Sequence, residues 1–246
     1  MIARGRMRTA IVSDIHGNLT ALEAVLADLR LSSPDVILHG GDLVANGSHP
    51  AEVVDRIRDL GWPGVRGNTD EMLWVPEGLT QLATRFPKLQ SIVARLKEMI
   101  PTTCSWLGQD RIRWLQTLPY IERQGPVAIV HASPDDLWRA PLPNASDSEL
   151  WSVYGGLEVP VAVYGHIHRP YVRQLQGTTV ANTGSVSLSY DGDPRASYLI
   201  LDGPNVTIRR VEYVLEREAD ALQHSGLPHA GWLCQILRAG LFQQPA

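Results

Sequence analysis

The chain has 246 residues, 44% of them hydrophobic and 20% charged, with a net charge of -4. That length and apolar content allow a sizeable buried core, and so small a net charge gives no bulk field that would make nucleic acid or an anionic membrane the main partner. Cys104 and Cys234 are the only cysteines and form no Cys-x-x-Cys pair, which fits a reducing compartment and disfavours a disulfide framework or a thiolate zinc site.

The opening "MIARGRMRTAIVSDIHGN" carries basic residues, but its short apolar run leads into acidic and imidazole side chains instead of a small-residue cleavage site, so it reads as cytoplasmic. The pattern begins at "MRTAIVSD", which makes Met7 an alternative start. No run reaches the roughly 18 to 20 apolar residues that span a bilayer. Residues 9–13 predict a strand buried on both faces, and Leu19, Leu22, Val25, Leu26 and Leu29 predict an amphipathic helix behind it. "DVILHGGD" reads as a second strand, "HPAEVVDRIRDLG" as a helix with Gly61 past its end, and "GVRGN" as a third short strand. Alternating strands and helices imply parallel pairing.

From about residue 71 to 120 the pattern turns helical, with "QDRIRWLQTLP" as a separate shorter helix, and reads as an insertion or cap. Strands return with "PVAIVHASP" and "VPVAVYGHIH". "PYVRQLQGTTVANTGSVSLS" and "ASYLILDGPNVTIRRVEYV" then suit antiparallel strands. The tail from about 215 to 246 is helical, and "GWLCQILRAGLF" suits packing on the core or on another subunit, which leaves an oligomer open. With no repeat, low-complexity tract or linker, residues 1–246 read as a single α/β domain with a helical excursion.

The polar residues gather at strand ends. Asp14 and His16 follow the first strand, two apart, and an extended chain would point both to one side. Asp42 follows the second strand and Asn68 the third. His131 follows "VAIV", and His166 and His168 follow "VAVYG". In open α/β sheets ligands bind at the carboxyl ends of strands. These seven mixed oxygen and nitrogen donors exceed one tetrahedral zinc and suit two divalent metals sharing a carboxylate.

In this order "DIHGN", "GGD", "GN", "VH" and "GHIH" resemble the calcineurin-like metallophosphoesterase superfamily, over about residues 7–214. The resemblance implies a four-layer α/β/β/α sandwich of two mixed sheets flanked by helices. It also implies one metal on Asp14, His16, Asp42 and His168, and another on Asp42, Asn68, His131 and His166. Asp42, Asn68 and His131 then form the catalytic core, and a metal-bridging hydroxide attacks the phosphate ester. Oxygen and imidazole donors suit Mn, Fe, Zn, Co or Ni, with manganese the first choice for assay.

Many family members carry His after the Asn, resembling a general acid, where this chain has Thr69, a poor acid at neutral pH. That favours a phosphodiesterase acting on small or nucleotide substrates. The alternatives are a phosphomonoesterase or dinucleoside polyphosphate hydrolase, a nuclease, and a non-catalytic scaffold of the same fold. "GDLVANGSHP" lacks the Asp-Arg-Gly run of relatives acting on phosphoproteins or symmetrical dinucleoside polyphosphates, and complete ligands argue against a scaffold. Asn18, Arg66 and Arg169 are candidate phosphate contacts, though Asn18 equally suits a helix cap and the arginines a solvated surface. His39 belongs near the site or in the core, and the loop "ASPDDLWRAPLPN", with Trp138, is placed to cover substrate.

Overall fold

The protein is described here by a computed structural model over residues 7–245. The six residues before Met7, and Ala246 at the end of the expected tail, lie outside the described residues. Strand β1 (Arg8–Val12) leads into α1 (Leu19–Ser32), β2 (Val36–His39) and α2 (Pro50–Leu60). α1 begins where Asn18 accepts a hydrogen bond from the Ala21 amide at 2.8 Å, satisfying one of the donors a helix start leaves open. It buries Leu22, Val25, Leu26 and Leu29, the stripe its spacing predicts.

The expected third strand is not formed. Gly64 makes a single parallel bridge to His39, and the chain turns at once into a short helix, α3 (Asn68–Glu71). Asp70 causes the turn, because its carboxylate accepts from the Gly67 amide at 2.9 Å and closes the chain where a strand would continue. α4 (Glu77–Arg85) and α5 (Gln90–Thr117) follow. α5 is two helices joined at Gly108, whose φ of 68° and ψ of 166° interrupt the helix before the shorter segment that the sequence predicts.

β3 (Ile121–Gln124) and β4 (Val127–Val130) form a hairpin, followed by α6 (Asp147–Tyr154), β5 (Val161–Tyr164), β6 (Tyr171–Gln174) and β7 (Thr179–Asn182). β3 and α6 escape the sequence reading. "IERQ" is a mostly half-buried edge strand without a clear apolar face. α6 is signalled only by its start, where Ser146 Oγ accepts from the Glu149 amide at 3.2 Å. The hairpin β8 (Ala196–Asp202) and β9 (Asn205–Val211) and the helices α7 (Leu215–His224) and α8 (Ala230–Ala239) complete the chain.

The strands make two mixed sheets, β2-β1-β8-β9 and β3-β4-β5-β7-β6. Alternation along the strands sorts side chains between layers. Ile11, Val127, Ile129, Val161, Val163 and Leu199 fill the space between the sheets. Ala10, Val12, Tyr198 and Ile200 face α1 and α2, while Ala128, Val130, Ala162 and Tyr164 face α6. The result is a four-layer α/β/β/α sandwich. The tail packs on the chain's own helices, where Leu222, Leu233 and Ile236 join Val93, Leu96 and Met99 of α5. Among the described residues no helix is long and apolar enough to cross a membrane.

Candidate metal centre

The carboxyl ends of β1, β2, β4 and β5 converge on one edge of the sandwich. The loops after β1 and β2 are laced together: the Asp14 amide donates to Gly41 O at 3.0 Å, His16 to Asp42 O at 2.9 Å and Gly17 to Leu43 O at 2.9 Å. Asp14 and His16 do not share a side because the chain is extended. Both adopt left-handed backbone, with φ of 58° and 51°, as do Asp42 (51°), His166 (66°) and His168 (54°). Such conformations cost about 1–3 kcal/mol each in non-glycine residues and persist only where the surroundings hold them. Five of the seven candidate ligands carry this strain, which argues that side-chain placement at this edge is selected over backbone comfort.

The seven side chains form two groups. Ligand atoms of Asp14, His16, Asp42 and His168 all lie within 4.8 Å of one another, and all four residues are buried. The Nε2 atoms of His16 and His168 face each other at 3.2 Å, and His168 Nε2 is 3.1 Å from Asp14 Oδ1. In the second group Asn68 Oδ1 stands 2.8 Å from both His131 Nε2 and His166 Nδ1. Asp42 lies between the groups. Its Oδ2 is 3.6 Å from His16 Nε2 and its Oδ1 is 3.4 Å from His131 Nε2.

The outer atoms of these ligands are tethered. His131 Nδ1 donates to Gly40 O at 2.9 Å and His168 Nδ1 to Leu188 O, which places the lone pairs on the inward Nε2 atoms. Asp14 accepts from Ser13 Oγ at 2.6 Å and from the His166 amide at 3.0 Å, and Asp42 Oδ1 from the Thr69 amide at 2.8 Å. Asp70 clamps the two ligand loops from behind. It takes the Leu43 and Val44 amides at 2.9 and 3.1 Å on one oxygen and the Gly67 amide at 2.9 Å on the other.

Burial, reinforced by Asp14, raises Asp42 to about 8, and burial reinforced by Asp42 raises Asp70 to about 7. Burial also raises Asp14, but the neighbouring imidazoles, His168 above all, outweigh it and hold that carboxyl well below its usual range. Burial and the adjacent His168 depress His16 to about 3, and burial and His131 depress His166 to about 3. Neutral imidazoles and closely spaced buried carboxylates are a poor arrangement for a bare protein and a good one for cations. The donor set fits divalent metal, with Asp14, His16, Asp42 and His168 able to hold one ion and Asp42, Asn68, His131 and His166 a second.

A cavity of about 300 Å³ opens over both groups. Thr69 lines it, but its hydroxyl donates to Val44 O at 3.1 Å. The three candidate phosphate contacts lie off its lining. Asn18 is the α1 cap and donates to Ser187 Oγ at 3.2 Å. Arg66 is committed to Leu118 O at 2.7 Å and Gln116 O at 2.8 Å and lies over Tyr120. Arg169 donates to Tyr190 O at 3.1 Å. Trp138 does line the cavity, as its loop suggests, whereas His39 is buried beside Trp114, away from the cavity lining.

Asn46, Asp70 and Tyr190 are site residues that sequence reasoning misses. Asn46 Nδ2 approaches His16 Nδ1 at 3.5 Å, and its buried Oδ1 has no hydrogen-bond partner. Tyr190 stacks on His168 with ring centroids 4.4 Å apart. The Asn-Gly pair at 46–47 and the Gly-Asn-Thr-Asp run at 67–70 are the only signals for Asn46 and Asp70, both read as ordinary turns, and Tyr190 has no local signal.

Residues 7–205 match the calcineurin-like phosphoesterase superfamily domain. An uncharacterized protein of Methanocaldococcus jannaschii is 31% identical, covering 94% of this chain and 97% of its own. Phosphodiesterase YfcE of Escherichia coli is 29% identical over 82% of this chain and 91% of its own. The crystal structure of a metallophosphoesterase from Sphaerobacter thermophilus superposes with a TM-score of 0.78 at 28% identity, covering 96% of this chain and all of the other.

Proposed function

The chain belongs to the calcineurin-like phosphoesterase superfamily, and on that premise we propose that it is a dinuclear metal-dependent phosphodiesterase acting on small phosphodiesters. One observation carries the proposal: Asp42 presents its two carboxylate oxygens to two separate donor groups, Oδ2 toward His16 and Oδ1 toward His131. Two divalent ions held there would neutralise phosphoryl charge and make water a competent nucleophile at neutral pH. Asp14, His16 and His168 complete one donor set, and Asn68, His131 and His166 the other. Carbonyl tethers on His131 and His168 fix the rings so that neither nitrogen has to reorient as substrate binds.

The preference for diesters rests on Thr69. Its hydroxyl is occupied by Val44 O, and the two imidazoles beside Asn68, His131 and His166, belong to the candidate donor set, so position 69 supplies no acid to protonate a poor leaving group. YfcE, by its name a phosphodiesterase, supports the same reading. Core residues shared between the sandwich and the helical elements, Leu73 and Tyr213 among them, support treating the chain as one domain. The test is turnover of aryl phosphodiesters and aryl phosphomonoesters with a panel of divalent metals, manganese first, against Asp42→Asn. No metal-supported turnover above that control overturns the enzyme reading, and faster monoester hydrolysis overturns the preference for diesters.

A further inference from the structure

We infer that the cavity above the metal centre selects phosphate esters carrying an apolar arm, alkyl or aryl, over nucleosidic ones. The inference rests on the proposed function and deepens it. The floor of the cavity is His16, Asp42, Asn68, His166 and His168 of the donor set; its apolar walls include Leu82 of α4, Ile92 and Leu96 of α5, Leu233 and Ile236 of α8, and Phe242 beyond it. These walls are continuous with the helical core that joins α5 to the tail. An apolar chamber opening directly onto polar, charge-bearing ligands is unusual as mere packing, because it leaves hydrocarbon facing water unless something fills it.

A phosphoester with a hydrocarbon arm satisfies both ends, its phosphate on the floor and its arm between α4, α5 and α8. A nucleoside does not. The Thr69 hydroxyl is engaged by Val44 O, and the Trp232 indole N–H donates to Gln243 O at 2.8 Å. Beyond the donor set, Asn46, whose buried Oδ1 has no partner, and the rings of Tyr190 and Trp138 are too few polar groups to pair those of a base and ribose, so a nucleoside set against the aliphatic walls would leave amide and amino groups unpaired. At about 300 Å³ the chamber is at the small end of ligand pockets, the size for a ring or short alkyl chain and not for a long acyl tail. The α8 wall lies beyond residue 205, where the family match ends, whereas Leu82, Ile92 and Leu96 lie within it.

The test is calorimetric titration of the manganese-loaded protein with methyl, butyl and hexyl phosphate and with thymidine 5′-phosphate, ligands that differ only in the arm. Burial of each methylene tightens binding about two- to fourfold, so hexyl phosphate is expected to bind at least about 30-fold more tightly than methyl phosphate, with a more negative heat-capacity change. Ile92→Gln is expected to flatten this dependence on chain length. Where that variant does not fold, Leu82→Gln, on α4, serves the same comparison. Equal affinity for methyl and hexyl phosphate, or tighter binding of thymidine 5′-phosphate than of hexyl phosphate, overturns the inference. The two readings fail separately: chain-length-dependent binding without turnover removes the hydrolase and keeps the pocket, and turnover without chain-length dependence does the reverse.

Discussion

Replacing Asp70 tests whether the metal ligands are held from behind. The residue is fully buried, and its carboxylate takes the backbone N–H groups of Leu43, Val44 and Gly67. Asp70→Ala leaves three buried donors without an acceptor. Each unsatisfied group costs about 1–3 kcal/mol, and allowing some to be rehydrated gives an expected loss of about 3–6 kcal/mol, a large fraction of the about 5–15 kcal/mol that holds a typical protein folded. Asp70→Asn keeps one oxygen for Leu43 and Val44 but turns an amide N–H toward Gly67, so about 1–3 kcal/mol is expected. Urea unfolding of the metal-free protein at pH 8, where Asp70 is ionised, measures both. Because Leu43 and Gly67 adjoin Asp42 and Asn68, metal affinity by calorimetry is expected to fall in the same order. A loss below about 1 kcal/mol for Asp70→Ala would mean that the three amides find other partners, and the clamp argument would fail.

Gly67→Ala tests the shared carboxylate sterically: a Cβ there would lie 2.0 Å from Asp42 Oδ1 and 2.3 Å from the Asp42 amide. Metal titration should show both sites weakened by at least about tenfold, the range seen when ligand-positioning contacts are lost; wild-type affinity refutes the geometry. For pH, His16, His39 and His166, depressed to between about 3 and about 4, bind fewer protons folded than unfolded, so their contribution is lost as pH falls below about 6.5. Asp42 and Asp70, raised to about 8 and about 7, act oppositely, and their contribution is lost as pH rises through those values. The metal-free melting temperature should therefore peak near pH 6.5, and Asp42→Asn should flatten the alkaline fall; a melting temperature still rising from pH 6.5 to 8 contradicts this. Since Asp42 is still largely protonated at pH 7, metal binding there should release about one proton, read as a dependence of the calorimetric enthalpy on buffer. Thr69→His should raise turnover of alkyl monoesters relative to aryl diesters, and an unchanged ratio would remove the argument from the missing imidazole.

The sequence reveals the site better than it reveals the backbone that makes it. Asp14, His16, Asp42, Asn68, His131, His166 and His168 come together because each follows a short apolar run, a local pattern that survives any error in element boundaries. Their backbone conformation is not legible, since left-handed φ at Asp14 or His168 is imposed by hydrogen bonds to segments distant in the chain, such as Gly41 and the loop around Leu188. The same distance effect hides the short helix at Asn68, which depends on Asp70 reaching Gly67 and also the amides of Leu43 and Val44. Strand and helix periodicity locate the two sheets and the helical stretch, whereas β3 and α6 are too short and too exposed to generate a period. The cavity walls are least visible of all. Leu82, Ile92 and Ile236 read as ordinary core residues, and nothing local says that one flank of that core opens onto the ligands.

The order in which the chain is made adds a consequence of the sheet layout. β1 pairs on one side with β2 and on the other with β8, which begins at Ala196. While only the first half has been synthesised, the N-terminal strand has one neighbour, and Asp14, His16, Asp42 and Asn68 stand without the three imidazoles contributed by the other sheet. No early piece can therefore trap metal in its final setting. On the proposed reading, capture would wait until β8 as well as the imidazoles has left the ribosome, and cations would then join ligands that span residues 14 to 168 in a single late step.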